Sequence, residues 1–182
     1  MARSAKASGS TVAAETSAEG FEKLAYNVVE DDVPGLDLRV FRAMFGLSRA
    51  SARLVADFES VVQRPRGLSW SGFRLLFCLQ VSGSLQTGEL AKLLFLTAPT
   101  VSSVVNTLEA RGWVRRERLP DDRRRVCVHL TPDGDRLVRS TAQAQHQRER
   151  EWTADVAPDD LAAFVRVAER LATRPRPEAA PA

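Results

Sequence analysis

The chain has 182 residues, 44% of them hydrophobic and 27% charged, with a formal net charge of +3. That length suits one core with trimmings rather than two ordinary domains, and no apolar run approaches the roughly 20 residues that a membrane helix needs. An N-terminus of Ala, Ser, Thr and Gly without an apolar stretch argues against a secretory signal, and two distant cysteines, Cys78 and Cys127, fit a reducing compartment, so a cytoplasmic location is expected.

Residues 1–35 are expected to form a flexible tail and linker. The first twenty lack periodic apolar positions, Phe21 to Glu30 has the pattern of a short helix, and Asp31, Asp32, Pro34 and Gly35 punctuate it. A long amphipathic helix follows. Leu38, Phe41, Phe45, Ser48, Ala52, Val55 and Val62 recur near a period of roughly 3.5 until Pro65 and Gly67 stop it. Ser69 caps a second helix through Phe73, Leu76, Phe77 and Leu79, Ser82-Gly83-Ser84 makes a turn, and Gln86 to Leu94 reads as a short third helix. Thr97-Ala98-Pro99 opens a fourth, with a hydroxyl cap and proline in the first turn. Its buried stripe is Val101, Val104, Val105 and Leu108, and Arg111-Gly112 closes it.

Trp113 to Leu119 reads as a strand leading into the turn Pro120-Asp121-Asp122. On the return strand Val126, Val128 and Leu130 alternate with Arg125, Cys127 and His129, which puts the first set inside and the second in solvent. Thr131-Pro132-Asp133 then opens a long polar helix to about Trp152. Pro158-Asp159-Asp160 opens the last, with Leu161, Phe164, Val165, Ala168 and Leu171 on one side, and residues 174–182 form a proline-rich tail.

Charge gathers at the hairpin. From Arg111 to Arg125 seven arginines stand against Glu117, Asp121 and Asp122, a local +4 that leaves the rest of the chain near −1. A basic segment on a near-neutral body is the footprint of a polyanion partner, although a solvated charge run has the same composition. The fourth helix turns Pro99, Thr100, Ser102, Ser103, Asn106 and Thr107 outward. Small hydroxyl and amide groups let a backbone approach DNA while still bonding phosphates and base edges. An ordinary amphipathic helix would also be polar there. The basic hairpin that follows favours a groove-reading helix with a wing, since arginine enters a narrow minor groove readily.

In these residues the sequence resembles the MarR family of bacterial regulators. Leu90-Ala91, Thr100-Val101-Ser102 and the run Leu108-Glu109-Ala110-Arg111-Gly112-Trp113-Val114 follow that family's helix-turn-helix. Asp122-Arg123-Arg124 followed by Leu130-Thr131-Pro132-Asp133-Gly134 matches its wing signature. The resemblance spans about 36–173. It implies a mainly α fold with a small β-wing: a winged helix-turn-helix over about 69–131, and N- and C-terminal helices (about 36–64 and 132–173) forming the dimerisation region. A homodimer on a pseudo-palindromic double-stranded DNA operator is implied, with Arg124 in the minor groove, Asp122 orienting it, and Arg123 and Arg125 on flanking phosphates. The DNA-binding set is therefore Thr100, Ser102, Ser103, Asn106, Arg111, Asp122, Arg123, Arg124 and Arg125. Two departures from the family pattern stand out: Leu94-Phe95-Leu96 is more apolar than the usual polar-glycine turn, and Ala98-Pro99 is less polar than usual.

No catalytic or metal-binding constellation is visible: His129 and His146 lie on different elements, no glycine-rich phosphate loop occurs, and Asp159 and Asp160 are helix-start charges. Neither an enzyme nor a cofactor is expected, and Cys78 and Cys127 do not match the redox-sensing position of some relatives. The expected function is a repressor released by a small effector, such as an aromatic or phenolic acid, held between the dimer region and the winged domain by Phe45, Arg49, Arg53, Trp70, Arg74 and Phe77. Arg49 and Arg53, four apart on one helix face, would pair with a carboxylate, unless the arginines are simply solvated and the rings core. An architectural DNA-binding protein without an effector is the alternative.

Overall fold

A computed structural model of the chain describes residues 18–119 and 122–174, with residues 18, 19, 31, 119 and 122–125 described in backbone only. The elements are α1 (Ala18–Asp32), α2 (Leu38–Phe58), α3 (Trp70–Ser82), β1 (Ser84–Gln86), α4 (Thr87–Leu94), α5 (Ala98–Ala110), β2 (Val114–Leu119), β3 (Asp122–Leu130), α6 (Pro132–Trp152) and α7 (Pro158–Ala172). The described residues up to Val55 and those from Ala56 onward form two compact units. The division falls inside α2. The predicted fold class, mainly helical with a small antiparallel wing, is the one observed.

In the N-terminal unit the expected short helix at Phe21–Glu30 is the 15-residue α1, within what the sequence presents as tail and linker. Aromatic packing accounts for it. The Tyr26 ring meets Phe41 and Phe45 edge-on at 6.2 and 6.1 Å, Phe21 lies 6.3 Å from Phe45, and Phe41 stacks on Phe45 at 5.3 Å. Asp37 starts α2 by accepting the Arg39 backbone N–H at 2.9 Å.

The C-terminal unit begins where α2 widens into a π-turn (Glu59–Gln63) and then tightens into a 3-10 turn (Arg64–Arg66), because Pro65 cannot donate to the ladder. Gly67 exits at φ 73°, and Ser69 caps α3 by accepting the Gly72 N–H at 3.0 Å. The core is aliphatic: Leu75, Leu76, Leu90, Val101, Val105, Val128 and Val138 are fully buried, and each contributes about 1.5–3 kcal/mol over its exposed state. The predicted stripe on α5 is buried at Val101, Val105 and Leu108 and half-buried at Val104.

The sheet has three strands in the order β1-β3-β2, all antiparallel. Strand β1 corrects the expected turn at Ser84. It also explains why Cys127 is buried and not solvent-facing: Gln86 of β1 and Glu117 of β2 are its partners on the two flanking strands, and cross-strand partners share a face. His129 is half-buried on the same face, 3.5 Å from Glu117.

The join between wing and α6 explains the Leu-Thr-x-x-Gly motif. Thr131 Oγ1 donates to the Gly112 carbonyl at 2.7 Å and accepts the Gly134 N–H at 3.1 Å, capping α6. Gly134 has no room for a side chain: a Cβ there would lie 1.9 Å from the Trp113 carbonyl oxygen.

Candidate nucleic-acid interface

Helices α4 and α5 form the helix-turn-helix. Gln86 N–H donates to the Glu89 carboxylate at 2.7 Å to start α4, and α4 ends at Phe95, which takes the left-handed conformation (φ 56°) where glycine is usual. The apolar turn noted in the sequence therefore keeps the standard backbone path at a cost of roughly 1 kcal/mol. Thr97 caps α5 by accepting the Thr100 N–H at 3.3 Å. Whereas α4, α6 and α7 carry Glu or Asp in their first turns, α5 carries none, so the positive end of its dipole is left uncancelled.

Thr100, Ser102, Ser103, Asn106 and Thr107 are all exposed on α5, as the stripe analysis requires. Thr107 is turned back, its hydroxyl donating to the Ser103 carbonyl at 3.1 Å. Asn106 is held by the wing: Arg116 Nη2 donates to its Oδ1 at 2.6 Å, and Nη1 of the same guanidinium bonds Glu109. Arg111 is exposed at the exit of the helix. Its guanidinium donates to the Gly67 carbonyl and lies over the Trp113 ring at 5.1 Å, locking the exit of α5 onto the turn before α3. Asp122, Arg123, Arg124 and Arg125 lie on β3, where Asp122 pairs with Leu119 of β2 across a register shift, and their side chains fall outside the described residues.

Three of the six expected effector residues come together. Trp70, Arg74 and Phe77 of α3 line a cavity of about 410 Å³ with Phe73, with Leu93 and Leu94 of α4, and with Gln145 and Glu149 of α6. Arg74 Nη2 donates to the Leu94 carbonyl at 3.0 Å. No ion pair of Arg74 occurs among the described residues. Glu149 is already engaged by Gln145 Nε2 at 2.9 Å, and Gln145 in turn accepts from the fully buried Gln63 at 2.8 Å. Cys78 also faces the cavity, and burial raises its thiol pKa in spite of the nearby Arg74. The other three expected residues belong to helix α2 of the N-terminal unit. Arg49 there pairs with Glu22 at 2.9 Å between the rings of Phe21 and Phe45, and Arg53 is exposed.

Sequence reasoning left Arg116, Gln145 and Glu149 unassigned. The last two are legible in hindsight as i, i+4 neighbours on one helical face; Arg116 required knowing that β2 returns alongside α5. Among the described residues no single helix is long and apolar enough to cross a membrane, and no cluster of His, Cys, Asp or Glu could hold a metal ion.

A MarR family model matches residues 68–126, from the start of α3 into the wing. The chain is 31% identical over 128 residues to the uncharacterized HTH-type transcriptional regulator YwaE of Bacillus subtilis (strain 168), covering 70% of this chain and 75% of that one. It is 33% identical over 114 residues to YwoH of the same organism, covering 63% and 82%. Among solved structures it is similar to BpsR of Bordetella bronchiseptica, whose DNA binding is regulated by 6-hydroxynicotinic acid. The TM-score is 0.66 at 27% identity, covering 72% of this chain and 98% of that one.

Proposed function

This chain belongs to the MarR family of DNA-binding transcriptional regulators, and from that premise we propose a cytoplasmic repressor whose homodimer binds a pseudo-palindromic operator and leaves it when a small aromatic or phenolic acid binds. The observation that carries the DNA half is the exposed, carboxylate-free leading face of α5 beside a basic hairpin. In this reading Thr100, Ser102, Ser103 and Asn106 face the major groove, Arg124 enters the minor groove with Asp122 orienting it, and Arg123 and Arg125 meet flanking phosphates. Arg111, braced on the Gly67 carbonyl and the Trp113 ring, completes the DNA-binding set at the exit of α5.

Replacing Arg124 by alanine tests this: affinity for the operator is expected to drop by about 1–3 kcal/mol with the circular dichroism spectrum unchanged. Asp122→Ala is expected to act in the same direction and less. Unchanged affinity of a folded Arg124→Ala protein removes the wing assignment. Weak sequence preference with a steep salt dependence would instead favour the architectural alternative.

The effector half rests on the cavity. A cation without a carboxylate partner among indole and phenyl rings suits an aromatic acid, and the regulation of BpsR by 6-hydroxynicotinic acid supports that ligand class. Arg74 also holds the Leu94 carbonyl, the end of α4, three residues before the Thr97 cap of α5. A carboxylate that draws the guanidinium away loosens that turn. Release further requires the ligand to prefer the state that does not fit DNA, since equal affinity for both shifts nothing. Titration of aromatic carboxylates, 6-hydroxynicotinic acid among them, into the protein–operator complex is the test. Compounds that bind the free protein but leave operator affinity unchanged would end the effector reading and spare the DNA-binding one.

A further inference from the structure

Asn106 stands on the outer face of α5, and its amide is oriented by the wing. Arg116 of β2 is fixed by Glu109: its backbone N–H donates to Glu109 Oε1 at 3.2 Å and its Nη1 bonds Glu109 Oε2. The remaining fork nitrogen, Nη2, lies 2.6 Å from Asn106 Oδ1. The Arg116 side chain is 28% exposed and Asn106 lies on the open surface, so the bond sits at the surface with its guanidinium partly shielded by the protein. A guanidinium carries donors only. The amide orientation therefore follows from chemistry: the oxygen faces Arg116, and the nitrogen is the atom left to face outward.

That orientation matters for base readout. An unconstrained asparagine reads adenine by giving an N–H to N7 and accepting from the N6 amino group, which requires oxygen and nitrogen side by side at the base edge. Here the guanidinium occupies the oxygen's side. An adenine amino group brought to that side would meet a cation, donor against donor. Guanine presents two acceptors, N7 and O6, to the outward N–H groups and to the nearby positive charge.

We propose that Arg116, held by Glu109, makes Asn106 a donor-only reader, so that this regulator selects guanine over adenine at the base each Asn106 faces. The inference rests on the reading of α5 as the groove-reading helix and specifies its base preference. Arg116 is a positioning residue in this scheme and need not touch DNA itself.

The experiment uses the full-length protein and a pool of randomised duplexes, followed by competition binding on matched duplexes that differ at one base pair. Wild type is expected to select guanine at one position per half-site, and Asn106→Ala to lose preference at that position alone. Arg116→Met frees Oδ1 and is expected to move the same position toward adenine, changing the adenine-to-guanine affinity ratio by roughly fivefold or more. Asn106→Asp keeps an oxygen for Arg116 and turns the outward group into an acceptor, so its preference there should move to cytosine, whose N4 donates. Retained preferences at all other positions establish that each variant is folded. A wild-type preference for adenine at the Asn106-dependent position would overturn the proposal, as would an Arg116→Met protein that still selects guanine there. If Asn106→Ala loses preference nowhere, the proposal fails while sequence-specific binding stands; if wild type has no sequence preference at all, the groove-reading assignment of α5 fails with it.

Discussion

The winged region and the terminal helices differ in what covers their apolar side chains. Between α3 and the start of α6, Leu75, Leu76, Leu90, Val101, Val105 and Val128 have no exposed surface. Among the residues whose side chains are described, helix α1, helix α2 as far as Val55 and helix α7 contain no buried one. Their apolar side chains face water: Phe21, Leu24, Val28, Val40 and Met44 in the first two, and Leu161, Phe164, Val165 and Val167 in the last. The winged region completes its core within one chain. The terminal helices carry apolar faces that one chain does not cover, which is what a homodimer of this family would bury. A self-contained core thus underlies the helix-turn-helix, and the uncovered apolar faces lie on α1, α2 and α7.

The strongest way to break the self-sufficient side is at Gly134. A Cβ 1.9 Å from the Trp113 carbonyl has no flexible neighbour to displace, since the obstacle is backbone at the entry to β2. Gly134→Ala is expected to destabilise the winged region by on the order of 3 kcal/mol or more, read as a lower denaturant midpoint. A loss under about 1 kcal/mol would mean that the wing and α6 can separate freely, and the contrast drawn above would be wrong.

The dependent side is tested at α7. Leu161→Glu with Phe164→Glu removes two apolar contributors from an exposed face, and so has little effect on a single chain's core. Sedimentation should find monomers at micromolar concentration where wild type is a dimer, and operator affinity should fall at least tenfold, because two half-sites about 34–36 Å apart must then be filled independently. A dimer that survives both substitutions places its interface on other elements.

How legible each region was in the sequence follows the same divide. Stripes such as Val101, Val105 and Leu108, and caps such as Ser69, Thr97 and Thr131, were legible because they are local: a hydroxyl two or three residues before a helical N–H needs no distant partner. Strand β1 was not, since three residues carry no periodicity and exist as a strand only by pairing with β3. The pairs Arg111–Gly67 and Arg116–Asn106 join residues 44 and 10 positions apart, and composition alone reads such arginines as DNA contacts. The cavity was half legible. Trp70, Arg74 and Phe77 are one helical face, whereas Gln145 and Glu149 reach it only through the packing of α6 on α3.

The smallest expected effect concerns the brace between the end of α2 and α6. Asp57 accepts two bonds from Arg148, both 2.8 Å, and one from Trp152 Nε1, also 2.8 Å. The Arg148 guanidinium, chiefly, holds the Asp57 carboxyl down to about 2 from its ordinary 3.8, with the indole N–H adding to it against the opposing effect of burial. A carboxylate whose pKa is depressed by folding contributes stability that is fully present above pH 4 and is lost as pH falls toward 2. Asp57→Asn keeps an oxygen for the Trp152 N–H but carries no charge to titrate. Wild type should therefore be the more stable protein at pH 7, and the difference in thermal midpoint should shrink through the window from pH 4 to pH 2. High salt should reduce the pH 7 difference only in part, because the pair is bidentate and the Asp57 side chain is 20% exposed. A difference that stays constant down to pH 2 would mean that Asp57 acts through the shape of its hydrogen bonds and not through its charge.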